Sequence, residues 1–275
     1  MAILIQISDI HLPDHLGGQR PGLTCPDTTL REVLAAIANR YPVIDALILT
    51  GDLADNGSAE AYDRLANAII EAPWQARPPV LAISGNHDTP DGLNAAGQRH
   101  GWMTRGVWAP GISDPAEGAL WRVALLDSHV PGQVHGDIND DTIDGVESIL
   151  LDSLPEADRD RARCIAFIHH PPVAIDSPWM DRISLKNADR LRRRLERWPG
   201  FSACGFGHAH QAFADPRGQY FGTPSTWVQF MPGADQFQLD DTSAPGWRVW
   251  TLQSDGRFTT DVERLDATEN APHNH

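Results

Sequence analysis

Asp9-Ile10-His11 and Gly207-His208-Ala209-His210 each place two metal-ligand side chains one residue apart, just beyond a short apolar run. Both members of such a pair can turn towards a common point. Three further apolar runs end in the same kind of residue. Leu47 to Thr50 runs into Gly51-Asp52, Val80 to Ser84 into Gly85-Asn86-His87-Asp88, and Cys164 to Ile168 into His169-His170. Imidazole, carboxylate and amide oxygen together suit zinc, manganese or iron better than calcium. Asp9, His11, Asp52, Asn86, His169, His208 and His210 make seven candidate ligands, too many for one tetrahedral ion. Two ions that share a carboxylate would use them all, with Asp52 as the natural bridge, and paired ions about 3.5 to 4 Å apart are the arrangement used in phosphate ester hydrolysis.

These groups meet only if the five runs are strands whose carboxyl ends share one edge, the usual ligand crevice of an open α/β sheet. Ile3 to Ile7 reads as a strand covered on both faces. Residues 12–26 read as loop. Leu30, Val33, Leu34 and Ile37 recur at helical spacing over Thr28 to Arg40 behind an Asp27 cap, and Ser58 to Glu71 carries Leu65, Ala68 and Ile69 on one side. Trp121 to Leu126 is a strand ending in Asp127-Ser128-His129. Ile143 to Leu154 and Asn187 to Trp198 are helices, and Phe201 to Gly205 is a strand. The alternation predicts βαβ units and a mostly parallel sheet. Asp88 to Gly118 reads as irregular with room for one short helix. Gln219 to Phe221, Trp227 to Phe230, Trp247 to Leu252 and Phe258 to Glu263 read as antiparallel strands and hairpins.

A chain of 275 residues with 41% hydrophobic and 21% charged residues reads as an ordinary globular protein. The expected organisation is a single domain over 1–265 and a frayed, polar tail over 266–275. A net charge of −15 argues against a nucleic-acid surface. The N-terminus lacks a basic segment before its first apolar run, and no apolar stretch approaches the roughly 18 residues of a membrane helix, so the expected location is cytoplasmic. Cys25, Cys164 and Cys204 are widely spaced and suggest neither disulfides nor a cysteine zinc site. Asp88 reads as closing its turn. His15, His100, His129, His135, His273 and His275 read as surface residues or supports outside the ligand set.

The ordered motifs D-x-H, GD, GNHD, HHPP and GHxH resemble those of the calcineurin-like metallophosphoesterases. The resemblance implies an α/β fold with a metallophosphoesterase-type β-sandwich core, strand-helix-strand units and flanking helices. It implies two metal ions, iron, manganese or zinc: Asp9, His11, Asp52 and His210 would hold the first, and Asp52, Asn86, His169 and His208 the second. The motif register selects His169 over His170. His87 would be the catalytic histidine that contacts phosphate and protonates the leaving oxygen, with Asp55 the carboxylate that orients it. Ser184 to Ala188, Pro224 to Phe230 and Ala244 to Arg248 look like stretches of bacterial class III cyclic AMP phosphodiesterases.

That resemblance implies hydrolysis of 3′,5′-cyclic AMP to 5′-AMP by a hydroxide bridging the metals. The alternatives are a broader phosphodiesterase acting on glycerophosphodiesters or 2′,3′-cyclic nucleotides, and a non-catalytic metal or nucleotide sensor. The partner expected is a small phosphodiester, with no nucleic-acid polymer and no membrane, on a monomer or homodimer. Trp227 stands where those phosphodiesterases usually carry cysteine, and Trp179, Asp181 and Asn187 lie in a Pro-bounded segment that reads equally as a cover over the metals or as an ordinary surface loop.

Overall fold

A computed structural model describes residues 1–16, 22–111 and 118–266, and most of the 266–275 tail lies outside the described residues. Among them, no helix is long and apolar enough to cross a membrane. Two sheets form the centre. The first joins β1 (Ala2–Ile7), β2 (Ala46–Thr50) and β3 (Val80–Ile83) in parallel, then adds β12 (Gly246–Leu252) against β1 and β13 (Phe258–Arg264) outside it, both antiparallel. The second runs β4 (Gly106–Trp108), β5 (Leu120–Leu126), β6 (Ala162–Ile168), β7 (Phe201–Phe206), β9 (Tyr220–Gly222) and β8 (Phe213–Ala214), with β5, β6, β7 and β9 parallel. A small hairpin, β10 (Gln229–Phe230) with β11 (Leu239–Asp240), stands apart.

The sheets pack face to face. Alternate side chains point inward, so Leu4, Ile48, Leu81 and Trp250 of the first sheet meet Val123, Ile165 and Phe167 of the second. The remaining residues of the same strands point outward. Ile5, Ile7, Leu47 and Leu49 pack under α1 (Pro26–Arg40) and α2 (Ala59–Glu71), together with Leu93 of α3 (Pro90–His100). Ala124, Leu126, Ala166, Ile168 and Phe206 pack under α4 (Asp140–Asp152) and α6 (Ala188–Leu195), while a single turn, α5 (Pro178–Asp181), adds Met180. A strand buried on both faces has no polar side to show, which is why these segments read as continuous apolar runs.

One mostly parallel sheet was the expectation from the alternation; the chain instead divides its strands between two sheets, as the sandwich resemblance implies. Hydrophobic pattern does not record which buried strand pairs with which. Two local readings also shift. Asp27 lies inside α1, and Cys25 occupies the cap position without a side-chain bond. The segment after Asp88 holds the full helix α3, capped by the Thr89 hydroxyl accepting from the Gly92 amide and closed by Gly101 in the left-handed conformation.

Polar residues between the sheets tie them together directly beneath the strand ends. Gln6 donates to the Thr50 hydroxyl and the Phe206 carbonyl and accepts from the Trp250 indole at 3.1 Å. Arg248 is buried nearby, where it donates to the Gly222 and Phe213 carbonyls and lies over the Phe221 ring. Burial pulls its guanidinium down to about 10.

Candidate metal centre

All seven candidate ligands lie at the carboxyl ends of β1, β2, β3, β6 and β7, so both sheets contribute to one rim. The chain turns sharply there. Among the described residues six non-glycine residues have positive φ, and five of them are Asp9, His11, Asp52, His208 and His210. Left-handed backbone at such residues costs of order 1–3 kcal/mol each and persists where surrounding bonds impose it. Here the bonds are plain. The Asp9 amide donates to the Gly51 carbonyl, Ile10 and His11 both donate to the Asp52 carbonyl, and Leu12 donates to the Leu53 carbonyl, lacing the first motif onto the second. The His208 amide donates to both carboxylate oxygens of Asp9 at 3.0 Å, and the Ser225 hydroxyl donates to the Asp9 carbonyl.

Two glycines let the turns approach. A Cβ on Gly51, at φ +90, would lie 2.5 Å from His169 Nδ1, and one on Gly85 would lie 2.2 Å from both the amide nitrogen and Oδ1 of Asp52. Asp88 closes the third motif. Its carboxylate accepts from the Leu53, Ala54 and Gly85 amides and from the Tyr62 hydroxyl, so the turn reading of Asp88 agrees with what the structure shows.

Backbone carbonyls fix which imidazole nitrogen faces inward. A carbonyl oxygen only accepts, so His169 Nδ1 donates to Thr50 at 2.7 Å and His210 Nδ1 donates to Val228 at 2.7 Å. Their Nε2 lone pairs then point into the rim. His169 Nε2 lies 3.2 Å from Asn86 Oδ1 and 3.4 Å from Asp52 Oδ2. His210 Nε2 lies 3.2 Å from His11 Nε2 and 3.5 Å from Asp9 Oδ1. His208 lies by the Ile183 backbone, and its buried Nε2 has no hydrogen-bond partner among the described residues. Acceptors that face one another at this range are stabilised by a shared proton or cation, so the donor set fits metal binding on its own geometry.

The titration of these groups carries the same signature. Burial alone would raise Asp52, but the adjoining His169, with His11 and His87, holds it well below the usual carboxylate range. Burial would lower His169, yet the Asp52 charge brings it up to about 9. Burial raises Asp9 to about 7 and lowers His208 to about 3. A buried cluster that can settle only by moving protons between its members is one that positive charge would stabilise.

Four overlapping groupings emerge among the described residues. Asp9, His11 and His210 stand together, as do Asp9, Asp52 and His169, and Asp52 also groups with His11 and His87. His170 groups with His169 and His208, but its Nδ1 is bonded to the Ser128 hydroxyl at 2.8 Å. His87 is half-buried at the edge. Its amide donates to Asp52 Oδ1 at 2.8 Å, while its Nδ1 is 3.0 Å from the Asp55 carbonyl and 3.6 Å from the Asp55 carboxylate. That carboxylate is 3.4 Å from His11 Nδ1 and so stands between the two rings.

Of the proposed covering residues, Asp181 accepts from the Ile175 amide and Asn187 donates to Asp137 and to the Ile138 carbonyl, which makes both braces of local backbone. Trp179 packs on Phe230, whose ring stacks 3.9 Å from that of His210. Trp227 is buried 5.9 Å from the His11 ring and donates its indole N–H to the Thr24 carbonyl. Sequence reading had set His129 among surface or supporting residues. It lies beside the third motif, its Nδ1 2.9 Å from the Gly85 carbonyl. The signal was present, since Asp127-Ser128-His129 is a further strand end.

A two-sheet sandwich with such a rim defines the metallophosphoesterase class of fold. Among solved structures, a dimetal phosphatase from Danio rerio superposes with a TM-score of 0.62 at 14% identity over 95% of both chains. A purple acid phosphatase from yellow lupin gives 0.58 at 12% identity over 96% of this chain and 51% of its own.

Residues 3–212 match the family model for calcineurin-like phosphoesterases, and this chain belongs to that family. Family membership implies a dinuclear metal centre. The chain is 35% identical over 266 residues to the 3′,5′-cyclic adenosine monophosphate phosphodiesterase CpdA of Pseudomonas aeruginosa, covering 96% of this chain and 90% of that protein. It is 34% identical over 277 residues to the protein of the same name in Escherichia coli K12, covering 98% and 92%. A 3′,5′-cyclic-nucleotide phosphodiesterase of Nostoc is 31% identical over 268 residues, covering 95% and 92%.

Proposed function

We propose that this chain is a metal-dependent phosphodiesterase that hydrolyses 3′,5′-cyclic AMP to 5′-AMP. The observation that carries the reading is the inward-facing set of acceptors from both sheets, with His87 at its edge, on a chain similar over nearly its whole length to cyclic AMP phosphodiesterases. Asp9, His11, Asp52 and His210 would hold one ion, and Asp52, Asn86, His169 and His208 the other, iron, manganese or zinc. When bound, the ions would supply charge stabilisation at the phosphate and an activated water as nucleophile.

The protein's own groups do the rest. The Thr50 and Val228 carbonyls hold the His169 and His210 rings in the tautomer whose Nε2 is free to ligate. The Asp52 carboxylate fixes the His87 backbone, and the Asp55 carbonyl accepts from His87 Nδ1. The opposite nitrogen, Nε2, is thereby directed away from Asp55, and in the protonated ring it delivers a proton to the 3′ oxygen as the ester bond breaks. The unit proposed is a single domain over 1–265, working on a small diester in the cytoplasm.

A panel of diesters assayed with the manganese-loaded protein tests this. Turnover of 3′,5′-cyclic AMP above that of glycerophosphocholine and 2′,3′-cyclic AMP supports the reading. Faster turnover of glycerophosphocholine with none of cyclic AMP assigns the same centre to glycerophosphodiesters. No phosphoester cleaved by protein with two ions bound would leave a sensor.

A further inference from the structure

Beyond His87 the rim opens into a cleft of about 390 Å³, lined by Asp55, Asn56, Asn86, His87, Thr89 and His129 among others. His87 stands on its wall, so whatever remains attached to the oxygen that His87 protonates extends into this space. In a 3′,5′-cyclic nucleotide that group is the ribose. The ring carbon next to the one that bears the 3′ oxygen carries the 2′-hydroxyl.

The polar groups of the cleft are already engaged in different degrees. The Thr89 hydroxyl accepts the Gly92 amide at the start of α3, and the Asn56 amide donates to Asp14. His129 is half-buried and anchored twice. Its backbone amide donates to Asp127 Oδ1 at 2.9 Å, and its Nδ1 lies 2.9 Å from the Gly85 carbonyl. Because that carbonyl only accepts, Nδ1 carries the hydrogen, and the neutral ring presents Nε2 as an acceptor. No protein group among the described residues is bonded to that nitrogen. The anchor is also well chosen, since Gly85 directly precedes Asn86 and His87 and therefore holds His129 in register with them.

Resting on the proposed phosphodiesterase reading, we infer that His129 is a specificity-determining residue whose Nε2 accepts a hydrogen bond from the ribose 2′-hydroxyl of the substrate. An acceptor placed this way distinguishes a ribonucleotide from its 2′-deoxy analogue while leaving the phosphate chemistry common to both. The discrimination expected is that of one hydrogen bond between neutral groups, roughly tenfold at most.

The test compares 3′,5′-cyclic AMP with 2′-deoxy-3′,5′-cyclic AMP on metal-loaded wild type, His129→Ala and His129→Phe. In the wild type kcat/KM favours the ribonucleotide by about three- to tenfold, and in both variants the ratio falls to about one. Binding of 5′-AMP and 2′-deoxy-5′-AMP by calorimetry gives the same comparison without turnover, with the Kd ratio collapsing in the variants. A purely structural role for His129 lowers both substrates in proportion, and an unchanged ratio in the variants overturns the inference. So does a wild type that cleaves both substrates equally. A wild type with two ions bound that cleaves neither overturns the phosphodiesterase reading itself, and this inference with it.

Discussion

Replacing Asp52 with asparagine keeps the volume of the side chain and can keep its Oδ1 as acceptor for the His87 amide, 2.8 Å away. What it removes is the negative charge at the other oxygen, which lies 3.4 Å from His169 Nε2 and 3.7 Å from His11 Nε2, between the two proposed ligand sets. With Asp52 buried, two unit charges about 4 Å apart interact by about 4 kcal/mol at an effective dielectric near 20, a lower bound for a divalent ion. At about 1.4 kcal/mol per tenfold, the neutral side chain should weaken each ion by roughly a thousandfold. Protein loaded with manganese and dialysed would be analysed for metal by mass spectrometry, with circular dichroism confirming the fold. The wild type should retain two ions per chain and Asp52→Asn fewer than one. A variant that keeps one ion at wild-type affinity while losing the other refutes the shared bridge.

His87→Ala should lower kcat by about 10² to 10⁴ with metal content unchanged, because it removes the proposed proton donor and none of the proposed metal ligands; full turnover would remove His87 from that role. Asp88→Ala should destabilise the fold by about 3 kcal/mol or more in denaturant titration, since it strands the Leu53, Ala54 and Gly85 amides and the Tyr62 hydroxyl. Gly85→Ala should cost metal retention, read by the same metal analysis, since its Cβ would lie 2.2 Å from Asp52 Oδ1. Chelation should lower the melting temperature, and manganese at 100 times its Kd should restore about 2.7 kcal/mol for each ion bound.

The rim was legible because strand ends are marked by composition. Each apolar run gives way within about three residues to Asp, Asn or His, and the spacing in Asp9-Ile10-His11 and His208-Ala209-His210 does not depend on the exact strand boundary. Helices α1, α2 and α4 were legible from the period of Leu30, Val33, Leu65 and Ile143. The division into two sheets was not, since Ile48 and Ile165 look alike in sequence and only their facing across the core separates them. Nor was the left-handed backbone at Asp9, His11 and Asp52, because those residues carry no glycine-like mark and the conformation is imposed by bonds to Gly51 and Asp52. The links from Trp227 to Thr24, 203 residues apart, and from His129 to Gly85, 44 apart, have no local pattern to announce them.

The most direct measurement is the identity of the product when manganese-loaded protein consumes 3′,5′-cyclic AMP, resolved by chromatography against both monophosphates. If His87 protonates the 3′ oxygen as proposed, the 3′ bond breaks and 5′-AMP is the sole product. Release of 3′-AMP, or no consumption by protein carrying two ions, would contradict the account.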